Sequence, residues 1–344
     1  MSQDVEEPRR CSICPNPGFG NNYHCWSCRA CKQFFKRTLD HHIKHKCRRV
    51  NKCFENLTPN SVTPRCRKCR FDKCLENGMF MTLEQVAGLA AYDAGSIGAT
   101  IGELRYLDER RIAKLNRKMC FENPSLTDIV RRTKVQIQEQ GPCYIKTTED
   151  WQFLQLITCV EFLMELDFMR KMAVEEQIIL LKAFTGKVAL LFTCYNSFCL
   201  KSAQMITPGR QEIAPNHFTQ MGVSPKFLEK VRSRLTGKFI HLDINEEEFL
   251  LVLGVLVCDH VDGLSEGTKT IVEKKRQLYA SALYEYCQLQ HKEKGQTRYV
   301  DLLSIACTLN LNMQNVLSMS ELVKLDMKKK NQPFICKNLH DELI

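Results

Sequence analysis

The 344-residue chain contains 49 Lys or Arg against 39 Asp or Glu, a formal net charge of +10, and 19 cysteines. This length exceeds that of one compact domain, so a small module joined to a domain with a full hydrophobic core is expected. The first residues, MSQDVEEPRR, include no apolar signal segment, which argues against an oxidising extracellular compartment. The longest strongly apolar run, Phe249 to Cys258, is too short to span a bilayer, so no membrane partner is predicted.

The cysteines and the positive charge concentrate in the same part of the chain. Ten cysteines precede residue 80, in a stretch too poor in aliphatic residues to build a large core. Residues 9–79 hold sixteen Lys or Arg against four Asp or Glu, whereas the remainder is slightly acidic. This part stays strongly positive even if eight thiolates bind two divalent ions. It is therefore expected to attract a polyanion, of which nucleic acid is the obvious candidate.

Eight of these cysteines form two complete sets of metal ligands. The sets are Cys11, Cys14, Cys28 and Cys31, followed by Cys47, Cys53, Cys66 and Cys69. The first set consists of two C-x2-C pairs, and the second ends in another such pair. Each set supplies the four soft ligands that a closed tetrahedral zinc site requires, so we predict two structural Zn²⁺ ions.

Two cysteines and three histidines of this region lie outside the sets. Cys25 and Cys74 are predicted to be buried thiols, because free cysteine commonly packs as a small hydrophobic residue. His41, His42 and His45 offer an alternative ligand in place of Cys47. A solvated basic loop is the favoured interpretation of the histidines, since the four-cysteine set is already complete.

The segment CRACKQFFKRTLD predicts an amphipathic helix that starts at Cys28. One face carries Arg29, Lys32, Gln33, Lys36 and Arg37, and the other carries Cys31, Phe34, Phe35, Thr38 and Leu39. A second helix, with Phe71, Cys74 and Leu75 and with Gly78 as its carboxy-terminal cap, would pack on the two phenylalanines. A charged helix face is usually only solvated. Here zinc would hold a rigid basic helix, which is the element that enters a DNA major groove.

The rest of the chain predicts a hinge and a layered helical domain. Residues 84–119 are rich in small and then polar residues with weak periodicity, as is typical of a linker. A helix with a Ser125–Asp128 capping box is expected to continue through Val135 and Ile137. Another helix begins near Thr148 and places one stripe of residues together: Trp151, Leu154, Thr158, Phe162 and Leu166.

Further helices follow towards the carboxy terminus. Residues 176–200 are apolar nearly all round, which indicates a helix enclosed by others. Asn245 and Glu248 cap the next apolar run, and amphipathic stretches at 270–292 and 297–327 complete the domain. No convincing strand alternation is found, so the fold class is mainly α.

The amino-terminal part resembles the DNA-binding domain of nuclear hormone receptors, through CRACKQFFKR, the loop between Cys47 and Cys53, and CRKCRFDKCLENGM. The style is closest to the divergent receptors of nematodes. The resemblance spans residues 11–79 and implies that the eight cysteines bind zinc and that the partner is double-stranded DNA. It places the variable sequence-reading positions at Arg29, Ala30 and Gln33. It also implies that Lys32, Lys36 and Arg37 reach bases or phosphates. Arg48, Arg49, Arg67 and Arg70 are further predicted DNA contacts, in basic clusters at 44–49 and 65–70 that are equally open to interpretation as nuclear import signals.

Two departures from the family pattern affect these expectations. Many members have Glu and Gly where this chain has Arg29 and Ala30, and Gly where it has Gln33. The Glu of those members accepts a hydrogen bond from cytosine, whereas Arg29 donates hydrogen bonds of the kind that guanine accepts. The usual half-site of the family is therefore not assumed. Twelve residues separate Cys53 from Cys66 where nine are usual, so neither the loop conformation nor a dimer contact there is assumed.

Residues 120–344 resemble, more loosely, receptor ligand-binding domains, through the aromatic-rich helix that contains Trp151 and the EEQIILLK element. The resemblance implies a small lipophilic ligand, coregulator helices and a homo- or heterodimer partner receptor. The interior either encloses a pocket or is packed solid, and no pocket residue is assigned. The final LHDELI resembles the activation helix, in which Leu339, Glu342, Leu343 and Ile344 would form a coactivator-binding edge. His340 departs from that pattern, and a frayed terminus is the alternative.

These observations predict a zinc DNA-binding domain at 8–83, a hinge at 84–119 and a helical ligand-binding domain at 120–344. The predicted function is a nuclear, sequence-specific transcription factor for RNA polymerase II under ligand control. No enzymatic motif is found, such as a phosphate-binding glycine loop or an open zinc position. The alternatives are a zinc-stabilised adaptor of ubiquitin-ligase or LIM type and, among receptors, a ligand-independent repressor.

Overall fold

The computed structural model describes residues 9–40, 45–49, 52–58, 60–79, 97–131, 137–141, 144–330 and 338–343. The chain divides into two compact units, residues 1–114 and 115–344. The first unit contains β1 (Gly20–Asn22), β2 (Cys25–Ser27), α1 (Arg29–Asp40), α2 (Arg67–Glu76) and most of α3 (Ile97–Arg117). Strands β1 and β2 pair antiparallel, with Gly20 opposite Ser27 and Asn22 opposite Cys25.

Helices α1 and α2 pack through their apolar faces. Phe35 is fully buried on α1, and its ring centroid lies 5.7 Å from that of Phe71 on α2. Gly78 ends α2 with a φ of +79°, and the Met79 N–H donates to the Cys74 carbonyl at 2.9 Å. This is the left-handed cap predicted at Gly78, and a glycine adopts it without a steric penalty.

Helix α3 occupies much of the stretch that the sequence suggested was a linker. Ile101, Leu104 and Leu115 are buried on it at helical spacing. Asp108 and Arg111 are also buried, and they form an ion pair with 2.7 Å between the Arg111 Nη2 and Asp108 Oδ1 atoms. Two charged residues thus lie at buried positions of α3, which explains why the hydrophobic periodicity of this stretch is weak in the sequence.

The second unit contains two short strands and nine helices among its described residues. In chain order they are β3 (Lys118–Cys120), α4 (Leu126–Val130), β4 (Ile137–Glu139), α5 (Thr148–Glu165), α6 (Val174–Cys199), α7 (Pro225–Leu242), α8 (Glu246–Leu256), α9 (Glu266–His291), α10 (Gly295–Leu303), α11 (Ile305–Lys329) and α12 (Asn338–Leu343). Short 3-10 helices lie at Met169–Lys171, Asn216–Met221 and Lys292–Lys294.

The helix starts agree with the local sequence signals. Ser125 with Asp128 and Asn245 with Glu248 form the predicted capping boxes, and Thr147 with Asp150 forms a third at the start of α5. The expected continuation of α4 through Ile137 is wrong. Helix α4 ends at Val130, and Ile137 pairs with Cys120 between β4 and β3. The alternation of Ile137 with glutamines suits a strand, but three residues are too few to reveal it in the sequence.

Helix α6 runs through the middle of this unit, in contact with α5, α7, α11 and α12. It is the one helix among the described residues that is long and apolar enough to cross a membrane, but 61% of its most apolar 18-residue window is buried. A helix buried in this way is typical of a protein core.

An aromatic cluster fills the interior where α5, α6, α7 and α8 meet. Its members are Phe162, Phe192, Tyr195, Phe239 and Phe249. The Tyr195 and Phe249 rings stack with centroids 3.8 Å apart, and Phe162 meets Phe192 edge-on at 5.4 Å. Such pairs add to the stability gained from burial alone.

Candidate nucleic-acid interface and carboxy-terminal helix

The structure brings each predicted cysteine set together at the spacing of a metal site. Within each set the four sulfur atoms lie within 4.8 Å of one another. Cys14 Sγ is 3.7 Å from the sulfurs of both Cys28 and Cys31, and Cys47 Sγ is 3.8 Å from that of Cys53. Zinc–sulfur bonds of about 2.3 Å in a tetrahedron separate the sulfurs by about 3.8 Å. Both sets therefore fit a closed, structural zinc ion.

Hydrogen bonds to sulfur support the thiolate form of these ligands. The backbone N–H groups of Ile13, Cys31 and Arg49 donate to the sulfurs of Cys11, Cys28 and Cys47, respectively, at 3.3–3.4 Å. Backbone donors aimed at a charged acceptor stabilise that charge. Backbone donors thus stabilise two thiolates of the first set and one of the second.

The cysteines outside the sets lie in the core of the module. Cys74 is fully buried and Cys25 nearly so. Burial raises the pKa of both thiols, so both remain neutral. His45 also lies apart from the metal sites, because its ring stacks on Phe34 and its Nε2 atom contacts Thr38 Oγ1 at 3.3 Å. His41 and His42 lie outside the described residues.

Helix α1 has the two faces that its sequence predicted. On its polar face Arg29, Lys32, Gln33 and Arg37 are exposed and Lys36 is half-buried. On its other face Cys31, Phe35, Thr38 and Leu39 are buried and Phe34 is half-buried. The ligands Cys28 and Cys31 hold the first turn, so the metal site fixes where the polar face points.

A second basic surface is an open groove of about 680 Å³ beside the second cysteine set. Its basic lining residues are Lys46, Arg48, Arg49, Arg65 and Arg67, and none of its lining residues in the described part of the chain is acidic. Lys46 and Arg65 belong to the basic clusters at 44–49 and 65–70, although neither was predicted individually as a DNA contact. The groove therefore presents five cations on one surface.

Arg70 differs from the other predicted cations because it lies between the two helices. Its Nη2 atom donates to Cys31 Sγ at 3.2 Å, and its guanidinium lies 4.8 Å from the ring centroid of Phe34. Arg70 therefore connects α2 to a ligand of the first metal site. These contacts point to a structural role rather than to a phosphate contact.

Comparisons with known proteins agree with this geometry. The family described as double treble clef zinc finger, C4 type, matches residues 9–81. The family described as ligand-binding domain of nuclear hormone receptor matches residues 133–326, which is more than half of the chain. The chain belongs to the nuclear hormone receptor family. The two cysteine sets are accordingly the sites of two structural zinc ions.

Several relatives of this receptor come from a nematode, as its sequence style predicted. Nuclear hormone receptor family member nhr-9 of Caenorhabditis elegans is 30% identical over 309 residues, which cover 90% of this chain and 89% of that protein. Family member nhr-268 of the same organism is 27% identical over 328 residues, covering 93% and 95%. The ligand-binding domain of Ultraspiracle from Drosophila melanogaster aligns at 17% identity and a TM-score of 0.47, over 69% of this chain and 98% of that one.

The domain pair is that of a DNA-binding, ligand-regulated transcription factor. The protein-interaction adaptor is not favoured, because the finger match is to the receptor type. Members of this family are typically non-enzymatic and nuclear.

The carboxy-terminal helix of the receptor packs against its own domain. Helix α12 contacts α4, α5 and α6. Leu339 and Leu343 are buried, and Glu342 Oε2 accepts a hydrogen bond from the Leu126 N–H at 3.3 Å. The expected coactivator-binding edge is therefore turned inward here, and the carboxylate caps a helix of the same chain. Ile344 lies outside the described residues.

Removing this carboxylate is expected to loosen α12. Glu342→Ala leaves the Leu126 N–H without its acceptor, a loss comparable to that of a helix cap at about 1 kcal/mol. Backbone amides in 338–343 should then exchange with solvent about fivefold faster, measured by hydrogen–deuterium exchange with mass spectrometry. Asp341→Ala is the matched control, because it removes the neighbouring carboxylate of the same helix. The Asp341 side chain is half-exposed and lies 4.0 Å from Lys324, whereas the Leu126 N–H donates to Glu342. Equal acceleration by both variants would contradict a specific role of Glu342.

Proposed function

We propose that this receptor acts in the nucleus, without enzymatic activity, as a sequence-specific regulator of RNA polymerase II transcription. The observation that carries the proposal is the exposed polar face of α1, whose first turn is held by two zinc ligands. A rigid helix with cations on its outer face fits the major groove of DNA, where each base pair presents a distinct set of donors and acceptors.

The contacts divide into two classes on this proposal. Arg29 and Gln33 read base edges, with Lys32, Lys36 and Arg37 reaching bases or phosphates. The groove beside the second zinc site, including Arg48, Arg49 and Arg67, holds phosphates of the backbone. Phosphate contacts fix the register of the protein on the duplex and supply most of the salt-dependent affinity.

The helical unit is proposed to bind a small lipophilic ligand, coregulator helices and a partner receptor, which is either a second copy or another family member. Family membership supports these assignments. A coregulator-binding role of Leu339, Glu342, Leu343 and Ile344 requires α12 to leave the arrangement described above, since the two leucines are buried in it.

Arg29→Ala and Arg48→Ala are expected to weaken DNA binding in different ways. Loss of Arg29 should reduce discrimination at one base pair by about ten- to hundredfold, because a bidentate arginine–guanine contact contributes about 1–3 kcal/mol. Loss of Arg48 should weaken binding to all sequences alike. It should also lower the slope of log affinity against log salt by about one.

Selection of bound sequences from random DNA with the full chain, followed by affinity measurements on a panel of single-base variants, tests both expectations. Arg210→Ala is the control, because Arg210 lies in the helical unit and is exposed. Equal changes for Arg29→Ala and Arg48→Ala across the panel would reject the division into base and phosphate contacts. Indifference of the wild-type chain to every duplex at low salt would reject the function itself.

A further inference from the structure

Phe19 is a large aromatic residue on the surface of the zinc module. Its side chain is 60% exposed, whereas Phe35, Phe54 and Phe71 of the same module are buried. The Arg29 guanidinium carbon lies 3.8 Å from the centroid of the Phe19 ring. This is the separation of a guanidinium in direct contact with an aromatic face.

The hairpin before α1 holds the backbone that carries this ring. The Phe19 N–H donates to the Ser27 carbonyl at 3.1 Å, and Ser27 lies two residues before Arg29. Asn22 Nδ2 also donates to the Ser27 carbonyl, at 3.1 Å, and to that of Gly20. The backbones that carry Phe19 and Arg29 are thus held together by several hydrogen bonds.

Gly18 adds a further restraint directly before Phe19. A Cβ atom there would lie 2.0 Å from Trp26 Nε1 and 2.6 Å from the Arg9 carbonyl oxygen, so only glycine fits. The Gly18 N–H donates to that carbonyl at 3.0 Å, and Trp26 Nε1 donates to it at 3.1 Å. The backbone directly before Phe19 therefore has little freedom to move.

This contact suits an arginine that reads a base. The aromatic ring accepts no conventional hydrogen bond, and among the described residues the guanidinium N–H groups of Arg29 have no hydrogen-bond acceptor, so these donors stay free for a base. A free arginine side chain loses rotamer entropy when it binds, and a preorganised one loses less. Among the cations of the polar face of α1 in the described residues, Arg29 is the one that lies over an aromatic ring.

We propose that Phe19 is a specificity-determining positioning residue, which holds the Arg29 guanidinium in the orientation that reads guanine in the major groove. This inference rests on the proposed DNA-binding function. It adds a residue outside the helix to the set that determines sequence preference.

The test compares Phe19→Leu and Phe19→Tyr in the full chain, on the selected DNA site and on variants of the base pair read by Arg29. An exposed cation–aromatic contact is weak, so Phe19→Leu should lower the preference for guanine about two- to fivefold, whereas Phe19→Tyr should retain it. Affinity for unrelated DNA and a zinc content of two ions per chain should not change. Phe121→Leu is the matched control, because Phe121 is 64% exposed and lies in the helical unit.

A double-variant cycle makes the test specific. In an Arg29→Ala background, Phe19→Leu should have no further effect on base preference. A wild-type preference that survives Phe19→Leu, or a loss that is equal on all DNA or accompanies loss of zinc, would overturn the inference and leave the proposed function intact. If the wild-type chain binds no duplex, the proposed function fails, and this inference fails with it.

Discussion

Replacing Cys28 with alanine is expected to remove one zinc ion per chain and to reduce affinity for specific DNA by more than about a hundredfold. Cys28 Sγ lies 3.7 Å from Cys14 Sγ, and α1 begins at the next residue. A structural zinc ion contributes about 10–16 kcal/mol to folding of a small finger, which exceeds what the few buried side chains of this module can replace. The polar face of α1 would then lose its fixed orientation.

The change is measured as zinc per chain by elemental mass spectrometry, together with DNA affinity. Cys25→Ala is the matched control, because Cys25 is equally a buried cysteine of the same hairpin region but belongs to neither set. It should keep two zinc ions and near-normal affinity. Retention of two ions by Cys28→Ala, or the same loss in both variants, would refute the assignment of the ligands.

Arg298→Leu is expected to destabilise the helical unit by about 3–5 kcal/mol, because it removes the arginine that pairs with a buried carboxylate. His291 Nε2, at 3.0 Å from Glu248 Oε1, then remains as a side-chain partner of that carboxylate. The Glu248 side chain is fully buried, and its carboxylate accepts hydrogen bonds from Arg298 Nε at 2.7 Å and Nη2 at 2.5 Å. Arg298 Nη1 also donates to the Leu242 carbonyl at 2.6 Å. The group therefore joins the end of α7, the start of α8 and α10.

Chemical denaturation followed by circular dichroism measures this loss. Arg170→Leu is the control, because its partner Glu165 forms an exposed pair that should contribute less than about 1 kcal/mol. Glu248→Gln combined with Arg298→Leu should recover part of the stability, since the uncompensated charge is gone. A change no larger for Arg298→Leu than for Arg170→Leu would contradict the buried-pair explanation.

The same pair makes stability depend on acid in a defined direction. Burial by itself raises the pKa of Glu248, but hydrogen bonds from Arg298 and the Asn245 backbone outweigh it and hold the pKa below the ordinary value of 4.5. The unfolded chain therefore takes up the proton first as the pH falls. The stabilisation is complete above the ordinary pKa and is lost as the pH drops through the lower folded value.

The parts of this receptor that the sequence predicted are those encoded by neighbouring residues. The two cysteine sets, the faces of α1, the Gly78 cap and the capping boxes at Ser125 and Asn245 each depend on a few residues close together in the chain. Their physical meaning follows from spacing alone. The two zinc sites and the candidate recognition helix could thus be located from the sequence.

The parts that were missed depend on contacts between distant residues or on charges in apolar positions. Helix α3 completes its buried stripe with the Asp108–Arg111 pair, so its hydrophobic pattern looked like a linker. Arg298 lies 50 residues from Glu248, and nothing near either one marks them as partners. The contact of Phe19 with Arg29 required the β1–β2 hairpin, whose three-residue strands are too short to show alternation.

The stacked rings of Tyr195 and Phe249 have a consequence for how a hormone-like molecule could enter the helical unit. A ligand that binds where α5 to α8 meet would have to separate these closely packed aromatic rings, and the energy of the ring–ring contacts would be lost. Its binding free energy would be only what its own contacts contribute beyond that loss. We therefore expect a ligand to bind slowly and weakly among these rings, or to bind in a different part of the domain.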